Sequence, residues 1–252
     1  MRLVLFDIDG TILTARGAGR RALKRALEHV FGTAGALDGY EMSGKTDPRI
    51  LFEVLEGAGL HRDHVKPRLD DFFEAYARTL VEEIGDGSQV VMMPGVAELV
   101  KRLDVEDRVV LGLLTGNIEQ GARIKLGPTG LLPYFVLGAF GSDDPDRRCL
   151  PSLAARRAHA LKGYPFRPDE VLVIGDTPHD IDCARAFGAI AVAVATGRFS
   201  RAQLEADSPD LLFDDFADVE SAARAILSRR EGGRQPRSEL NPVILMPEFL
   251  SL

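Results

Sequence analysis

Residues 2–11 have the sequence RLVLFDIDGT, a short apolar run that leads directly into two aspartates and a glycine turn. The apolar run predicts a buried strand. Asp7 and Asp9 stand two residues apart, and such positions point to the same side of an extended chain. Because like charges this close repel each other, one carboxyl group would hold a proton unless a cation lay between them. At the carboxyl end of a strand, where open α/β sheets bind ligands, the pair predicts a metal-assisted site with an aspartate as nucleophile.

Length and composition limit the class of protein. The 252 residues suffice for one large domain or for a core with a smaller inserted domain, and the net charge of -7 argues against a nucleic-acid-binding surface. The longest apolar run, near residues 186–195, is too short to span a bilayer, and no apolar signal segment precedes the first strand. We therefore expect a cytoplasmic protein whose partner is neither a nucleic acid nor a membrane. The sequence leaves its oligomeric state open.

The spacing of apolar residues divides the chain into two kinds of structure. Residues 16–87 show only helical periodicity, including one long helix over 63–84, and are predicted to form an inserted all-helical domain. Residues 1–15 and 88–229 alternate between short apolar strands and helices, which predicts an α/β domain with a parallel sheet covered on both faces. Its later strands are expected at residues 109–114, 134–137, 171–174, 189–195 and 211–213.

The C-terminal tail, residues 230–252, starts with charged and polar residues and becomes apolar from Pro242 onwards. Chain termini are either tied down by packing or mobile. Two interpretations stay open for the apolar end. It packs on a groove of its own subunit, which we favour, or it forms an interface segment.

Polar residues of matched kinds follow two further predicted strands. Thr115, Gly116 and Asn117 supply a hydroxyl and free N–H groups at a helix start, which is a ready anion site. Asp176 and Asp180 lie four residues apart, so they share one face of a first helical turn. Together with the first pair they place four carboxylates beside an anion-binding loop, and these need a cation. Hard oxygen ligands and a phosphate are what Mg²⁺ prefers.

Three segments, in this order along the chain, resemble motifs I, II and IV of the haloacid dehalogenase superfamily: DIDGT at 7–11, TGN at 115–117 and GDTPHD at 175–180. The helical insert resembles the C1 cap of the phosphoglycolate-phosphatase-like members of that superfamily. The resemblance covers residues 1–228. It implies a Rossmann-like parallel-sheet core with the helical cap inserted after the first motif.

The activity that the resemblance implies is Mg²⁺-dependent hydrolysis of a small phosphorylated metabolite through an aspartyl-phosphate intermediate. Asp9 favours phosphate-ester chemistry, because the dehalogenases and phosphonatases of the superfamily carry another residue at this position. Two alternatives remain open. One is a phosphosugar mutase of the β-phosphoglucomutase type, which would pass the phosphoryl group to a second hydroxyl. The other is a catalytically silent phosphate-binding protein.

The resemblance also implies a role for each motif residue. Asp7 would attack phosphorus, and Asp9 would protonate the leaving oxygen and then activate the water that hydrolyses the intermediate. The phosphoryl oxygens would be held by Thr115 and by the N–H groups of Gly116 and Asn117. The candidate magnesium ligands are Asp7, Asp9 through its backbone carbonyl, Asp176, and Asp180 directly or through water.

The third motif departs from the family pattern. The family usually places a lysine before a helix between motifs II and IV, often followed by proline, whereas residues 146–151 read DRRCLP. Counting back from Pro151 puts Arg148 at the lysine position, with Arg147 as the second choice. An arginine would grip a phosphoryl oxygen with a planar fork rather than with a point charge.

Arg20 and Lys45 resemble positions that such caps present to the active site. A lysine there would meet a substrate carboxylate or a second phosphate, and closure of the cap would exclude water. A solvated loop at a helix start explains Lys45 equally well. We therefore expect residues of the cap to determine which substrate binds, and Arg20 and Lys45 are the candidates for this role.

Overall fold

The structure is a computed structural model that describes residues 1–228; the predicted tail, residues 230–252, lies outside the described residues. The strands are β1 (Arg2–Phe6), β2 (Leu13–Thr14), β3 (Val91–Met92), β4 (Val109–Thr115), β5 (Leu137–Phe140), β6 (Val171–Gly175), β7 (Ile190–Val194) and β8 (Leu211–Phe213). Six of them form a parallel sheet with the order β5-β4-β1-β6-β7-β8, while β2 and β3 pair antiparallel. The parallel sheet confirms the predicted α/β fold.

The helices are α1 (Ala18–Phe31), α2 (Asp47–Glu56), α3 (Arg62–Val65), α4 (Leu69–Ile84), α5 (Val96–Asp104), α6 (Glu119–Leu126), α7 (Leu150–Lys162), α8 (Pro178–Phe187), α9 (Arg201–Ala206) and α10 (Val219–Leu227). The first four lie between β2 and β3, and we call residues 16–87 the cap segment, following the predicted boundaries. Among the described residues, no helix has the length and apolar composition that crossing a bilayer requires.

Both faces of the parallel sheet are covered by apolar side chains. Along β1, Val4 and Phe6 belong to one buried cluster, whereas Leu3 and Leu5 belong to another. This division follows from the alternation of side chains along a strand, and a parallel sheet buried on both faces needs apolar residues at every position. The first cluster continues into the cap segment through residues such as Leu27 and Phe72 of α1 and α4.

Two local predictions were wrong, and one element was not predicted. The strand expected at 134–137 begins only at Leu137, where its pairing with Gly112 of β4 starts. Backbone pairing with a neighbour, rather than the apolar pattern, sets that boundary. The helix expected over 63–84 is interrupted by a turn that contains Pro67, which lacks the N–H group of a helix interior. The short β2–β3 pair was not predicted, because two residues per strand carry no periodic signal.

The order of the strands decides where the candidate site lies. β1 lies between β4 and β6, and Phe6 is in register with both Leu113 and Ile174. The three strands therefore end at the same edge of the sheet. Their carboxyl ends bring together the segments that follow them, which are the three predicted motifs.

Candidate active site

The first aspartate of the DIDGT segment is fixed by the sheet itself. The Asp7 N–H donates to the Ile174 carbonyl over 2.9 Å, which continues the pairing of β1 with β6 by one residue. The chain then turns at Gly10, which has a φ of 86°. A Cβ atom at Gly10 would lie 2.3 Å from Asp176 Oδ2, so glycine is required by both the backbone conformation and the space.

Three carboxylates lie together at this edge. Asp7, Asp176 and Asp180 are buried, and each has an oxygen within 4.8 Å of the others. The Thr11 hydroxyl donates to Asp176 Oδ1 over 3.1 Å. Asp180 Oδ2 accepts from the N–H and the hydroxyl of Thr177, which caps α8. The structure thus brings three of the four predicted acidic side chains into one cluster.

Burial and the neighbouring negative charges raise the pKa values of two carboxyl groups of this cluster. Burial raises the pKa of Asp7 to about 6, Arg147 opposes this, and Asp180 and Asp9 raise it further. The pKa of Asp176 is raised well above its usual range by burial, and then by Asp180 and Asp7. A divalent cation would relieve this repulsion, and the donor set of carboxylate oxygens fits Mg²⁺. Asp180 is the least available ligand, because both of its oxygens accept hydrogen bonds from protein groups.

The cation of the cluster is Arg147, which corrects the prediction of Arg148. The Arg147 side chain is 7% exposed, and its Nη2 lies 3.1 Å from Asp7 Oδ1 and 2.5 Å from Asp180 Oδ1. Arg148 is 60% exposed and pairs with Asp146. The reason is local: Asp146 caps a short 3₁₀ turn over Arg147–Cys149 and binds both the N–H and the guanidinium of Arg148. Counting back from Pro151 did not anticipate this turn.

The TGN segment forms a compact hydrogen-bonded turn. The Asn117 Nδ2 group donates to Thr115 Oγ1 and to Asp9 Oδ2, both over 2.8 Å. Gly116 lies against the cap segment, where a Cβ atom would come 2.1 Å from the Lys45 carbonyl oxygen. The structure therefore places the predicted anion-binding residues next to Asp9. Their contact with a phosphate stays a prediction.

Lys125 on α6 was missed by the sequence analysis. Its side chain is 6% exposed, and its Nζ donates to Asp9 Oδ2 and to Asn117 Oδ1, both over 2.6 Å. A signal was present: Lys125 lies three residues after Ala122 and seven after Ile118, on the buried face of the helix. A lysine on such a face needs a buried partner.

The two cap residues predicted to meet substrate make other contacts. Arg20 donates to the carbonyls of Leu37, over 2.8 Å, and of Tyr40. Lys45 Nζ donates to the Tyr40 hydroxyl over 2.6 Å and to Glu53 over 2.8 Å. Both side chains thus stabilise the cap segment internally. A role in substrate binding stays a prediction.

Asp47 is the cap carboxylate that reaches the site. Its N–H donates to the Gly116 carbonyl over 2.7 Å, and its Oδ2 accepts from the Ile118 N–H over 2.8 Å. The neighbouring Thr46 hydroxyl donates to the Pro145 carbonyl over 2.7 Å. The start of α2 is therefore bound directly to the loops that follow β4 and β5.

The Asp47 contact predicts a pH-dependent stability. Burial raises its pKa from the ordinary 3.8 to about 6, against the opposing effects of Lys125 and the Ile118 N–H. The folded state then holds this proton more tightly than the unfolded state, so its stabilising effect is lost as pH rises from about 4 to above 6. Asp47→Asn keeps the acceptor and is expected to raise the unfolding free energy by about 2–3 kcal/mol at pH 8, and by about 0.5 kcal/mol at pH 4.

Urea unfolding at both pH values measures this difference, with the exposed Asp71→Asn as the matched control. We expect the control to stay within about 0.5 kcal/mol of the wild type at either pH. A wild type that is more stable than Asp47→Asn at pH 8 would contradict the prediction. It would show that Lys125 compensates the buried charge in full.

Comparison with known proteins shows which family the chain belongs to. A family model described as haloacid dehalogenase-like hydrolase matches residues 1–188. A phosphoglycolate phosphatase of Synechococcus elongatus is 32% identical over 232 residues, which cover 90% of this chain and 99% of that protein. A phosphoglycolate phosphatase of Vibrio vulnificus is 25% identical over 223 residues, which cover 87% and 94%.

Solved structures share the same fold. A hydrolase from Pseudomonas syringae matches with a TM-score of 0.66 and 23% identity, covering 90% of this chain and all of that one (100%). A β-phosphoglucomutase from Clostridium difficile matches with a TM-score of 0.62 and 18% identity, covering 86% and 92%. At these sequence identities the two solved structures show that the fold is shared, and they say nothing about activity. From the family model and the relative at 32% identity, we conclude that the chain belongs to the haloacid dehalogenase-like hydrolases.

Proposed function

We propose that this hydrolase is a Mg²⁺-dependent phosphatase that cleaves a small phosphomonoester through an aspartyl-phosphate on Asp7. One observation carries the proposal: Asp7 lies 3.1 Å from the buried guanidinium of Arg147 and within 4.8 Å of carboxylate oxygens of Asp176 and Asp180. A nucleophilic carboxylate needs such an arrangement to meet a phosphate dianion without repulsion. The names of the relatives support a phosphatase, and 2-phosphoglycolate is the first substrate to test.

In the proposed first step, an Asp7 oxygen forms a bond to phosphorus while the bond from phosphorus to the ester oxygen breaks. Asp9 gives its proton to the departing oxygen, so the alcohol leaves neutral. In the second step, Asp9 takes a proton from water as that water attacks the phosphorus. The bond to Asp7 breaks, inorganic phosphate leaves, and both carboxyl groups return to their starting states.

The other groups of the site would hold the phosphoryl oxygens. Arg147, the Thr115 hydroxyl and the N–H groups of Gly116 and Asn117 supply the donors. Asp7, Asp176 and the Asp9 carbonyl would hold Mg²⁺, which when bound offsets the negative charge of the phosphate and the carboxylates. Arg147 Nη2 also bridges the carboxylates of Asp7 and Asp180.

The cap segment would exclude water during the first step. Asp47 and Thr46 bind the loops after β4 and β5 directly, and a Cβ atom at Gly44 would lie 2.5 Å from the Thr177 hydroxyl. The cap segment thus lies in close contact with three loops of the site. Exclusion of water favours transfer of the phosphoryl group to Asp7 over direct hydrolysis.

Phosphate release from a panel of monoesters tests the proposal. The panel contains 2-phosphoglycolate, glycerol phosphates, sugar phosphates and nucleotides, each with Mg²⁺ and with EDTA. We expect release that needs Mg²⁺, falls by at least about 100-fold in EDTA and returns when Mg²⁺ is restored. Absence of release from every ester would reject the proposal. Conversion of β-glucose 1-phosphate to glucose 6-phosphate without release would favour the mutase.

A further inference from the structure

We infer that Lys125 is a positioning residue that fixes the carboxyl group of Asp9 for proton transfer. The inference rests on the proposed function, because it concerns the proton that Asp9 gives to the leaving oxygen. It adds a residue that lies outside all of the motifs identified in the sequence. Lys125 reaches Asp9 across the loop from α6, 116 positions along the chain.

The geometry around Asp9 is asymmetric. Lys125 Nζ donates to Asp9 Oδ2 over 2.6 Å, and Asn117 Nδ2 donates to the same oxygen over 2.8 Å. The Asp9 side chain is 45% exposed, whereas that of Lys125 is 6% exposed. One oxygen of Asp9 is therefore fixed from the buried side, which leaves Oδ1 as the oxygen that can exchange a proton with a bound ester.

Lys125 is itself held in one place. Its ammonium also donates to Asn117 Oδ1 over 2.6 Å, so Lys125, Asn117 and Asp9 form a closed triangle of hydrogen bonds. Charge-assisted hydrogen bonds of this kind are shorter and stronger than neutral ones. Truncating Lys125 would therefore release two acceptors together, the Asp9 carboxylate and the Asn117 amide oxygen.

The cap segment covers the Lys125 side of this triangle, while Asp9 stays partly exposed. A Cβ atom at Gly19, in the first turn of α1, would lie 3.3 Å from Lys125 Nζ and 3.6 Å from the Tyr76 hydroxyl. Tyr76 is buried on α4. Because water is excluded on this side, the attraction between Lys125 and Asp9 is stronger than it would be on the surface. The cap segment thus lies directly against the side chain that holds Asp9.

The chemistry gives this contact a specific consequence. When the proton moves from Asp9 to the leaving oxygen, a negative charge appears on a carboxyl group that Lys125 contacts. The ammonium stabilises that charge as it forms, in the transition state, and it does so most for esters whose leaving oxygen needs the proton. An aryl ester such as 4-nitrophenyl phosphate has a stable leaving anion and needs the proton little.

The test compares the two kinds of ester in Lys125→Met. The value of kcat/KM reports the steps up to formation of the aspartyl-phosphate, so it isolates the proton donation. We expect kcat/KM to fall by about 100-fold for the best alkyl ester of the panel and by less than about fivefold for 4-nitrophenyl phosphate. Asp9→Asn should show the same split. The double variant should be slower than Asp9→Asn alone by less than about fivefold, since Lys125 acts mainly through Asp9 and otherwise holds only the Asn117 amide oxygen.

Lys101→Met, an exposed lysine on α5, is the matched control and should leave both esters unchanged. Lys125→Arg retains a cation and should recover part of the alkyl activity, and it serves as the test if Lys125→Met does not fold. Equal losses for both esters, or no loss for either, would overturn the inference while leaving the phosphatase in place. Failure of the phosphatase itself would appear separately, as a wild type that releases no phosphate from any ester.

Discussion

Replacing Asp7 by asparagine is expected to lower phosphate release by about 10⁴-fold, which corresponds to about 5.5 kcal/mol of barrier. The physical reason is that the amide oxygen of asparagine is a poor nucleophile and carries no charge to attack phosphorus. Asp7 is buried, its N–H is fixed by the Ile174 carbonyl, and asparagine has nearly the same shape, so we expect the substituted residue to occupy the same place. The loss would therefore report the chemistry rather than a displaced group.

Two measurements make the Asp7 result specific. The exposed Asp71→Asn serves as the control for charge and should keep full activity. Acid quenching of the wild type during turnover, followed by mass spectrometry, should find phosphate on Asp7 and none in Asp7→Asn. A variant that keeps more than about a tenth of the activity would contradict a covalent intermediate, since removal of a true nucleophile costs several powers of ten. Direct attack by water would then be the better mechanism.

Replacing Arg147 by methionine is expected to reduce both activity and stability. Arg147 is buried between Asp7 and Asp180, so its removal leaves two buried carboxylates without their cation. Breaking a buried ion pair from one side costs about 3–5 kcal/mol of unfolding free energy. Loss of a donor to the developing phosphoryl charge lowers kcat by about 10²–10³-fold. Thermal or urea unfolding and steady-state kinetics measure the two effects.

The neighbouring Arg148 provides the control for this experiment. Arg148→Met removes an exposed pair with Asp146 and should change the unfolding free energy by less than about 1 kcal/mol, with activity within about twofold. Arg147→Lys restores the residue type that the family usually carries. It should recover part of the activity, because an ammonium can contact Asp7 and Asp180 as Nη2 does but cannot also reproduce the contact of Nη1 with the Gly44 carbonyl. The reverse order of effects, with Arg148→Met the more damaging, would reject the assignment.

Much of the fold was predictable because its signals are local. The run from Arg2 to Phe6 is apolar at every position, as a strand buried on both faces requires, and it forms the central strand β1. The DIDGT segment follows β1 directly, and the TGN and GDTPHD segments begin at the last residues of β4 and β6. Parallel strands end at one edge of the sheet, so the α/β class predicts that these segments share an edge, while the strand order β4-β1-β6 makes them neighbours.

The orientation of charged side chains was harder to predict from the sequence. Arg147 and Arg148 are adjacent and chemically identical, and the choice between them depends on a single turn capped by Asp146. Lys45 turns towards Glu53 within the cap segment, where an equally good prediction had it facing substrate. In each case the acidic residue that pairs with the charged side chain contributes a few kcal/mol at most. Its position is set by packing rather than by the spacing of residues along the sequence.

The sequence by itself determined the class of fold and the candidates for the nucleophile, Asp7, and for an anion-binding turn, because strand periodicity and polar strand ends are encoded within a few residues. Only the tertiary structure decided that Arg147 pairs with Asp7, that Lys125 holds Asp9, and that the cap segment reaches the site through Asp47. The Arg147, Lys125 and Asp47 contacts join segments 71 to 140 residues apart, as counted from the numbering. Their energies come from burial and pairing, which exist only once the chain is folded.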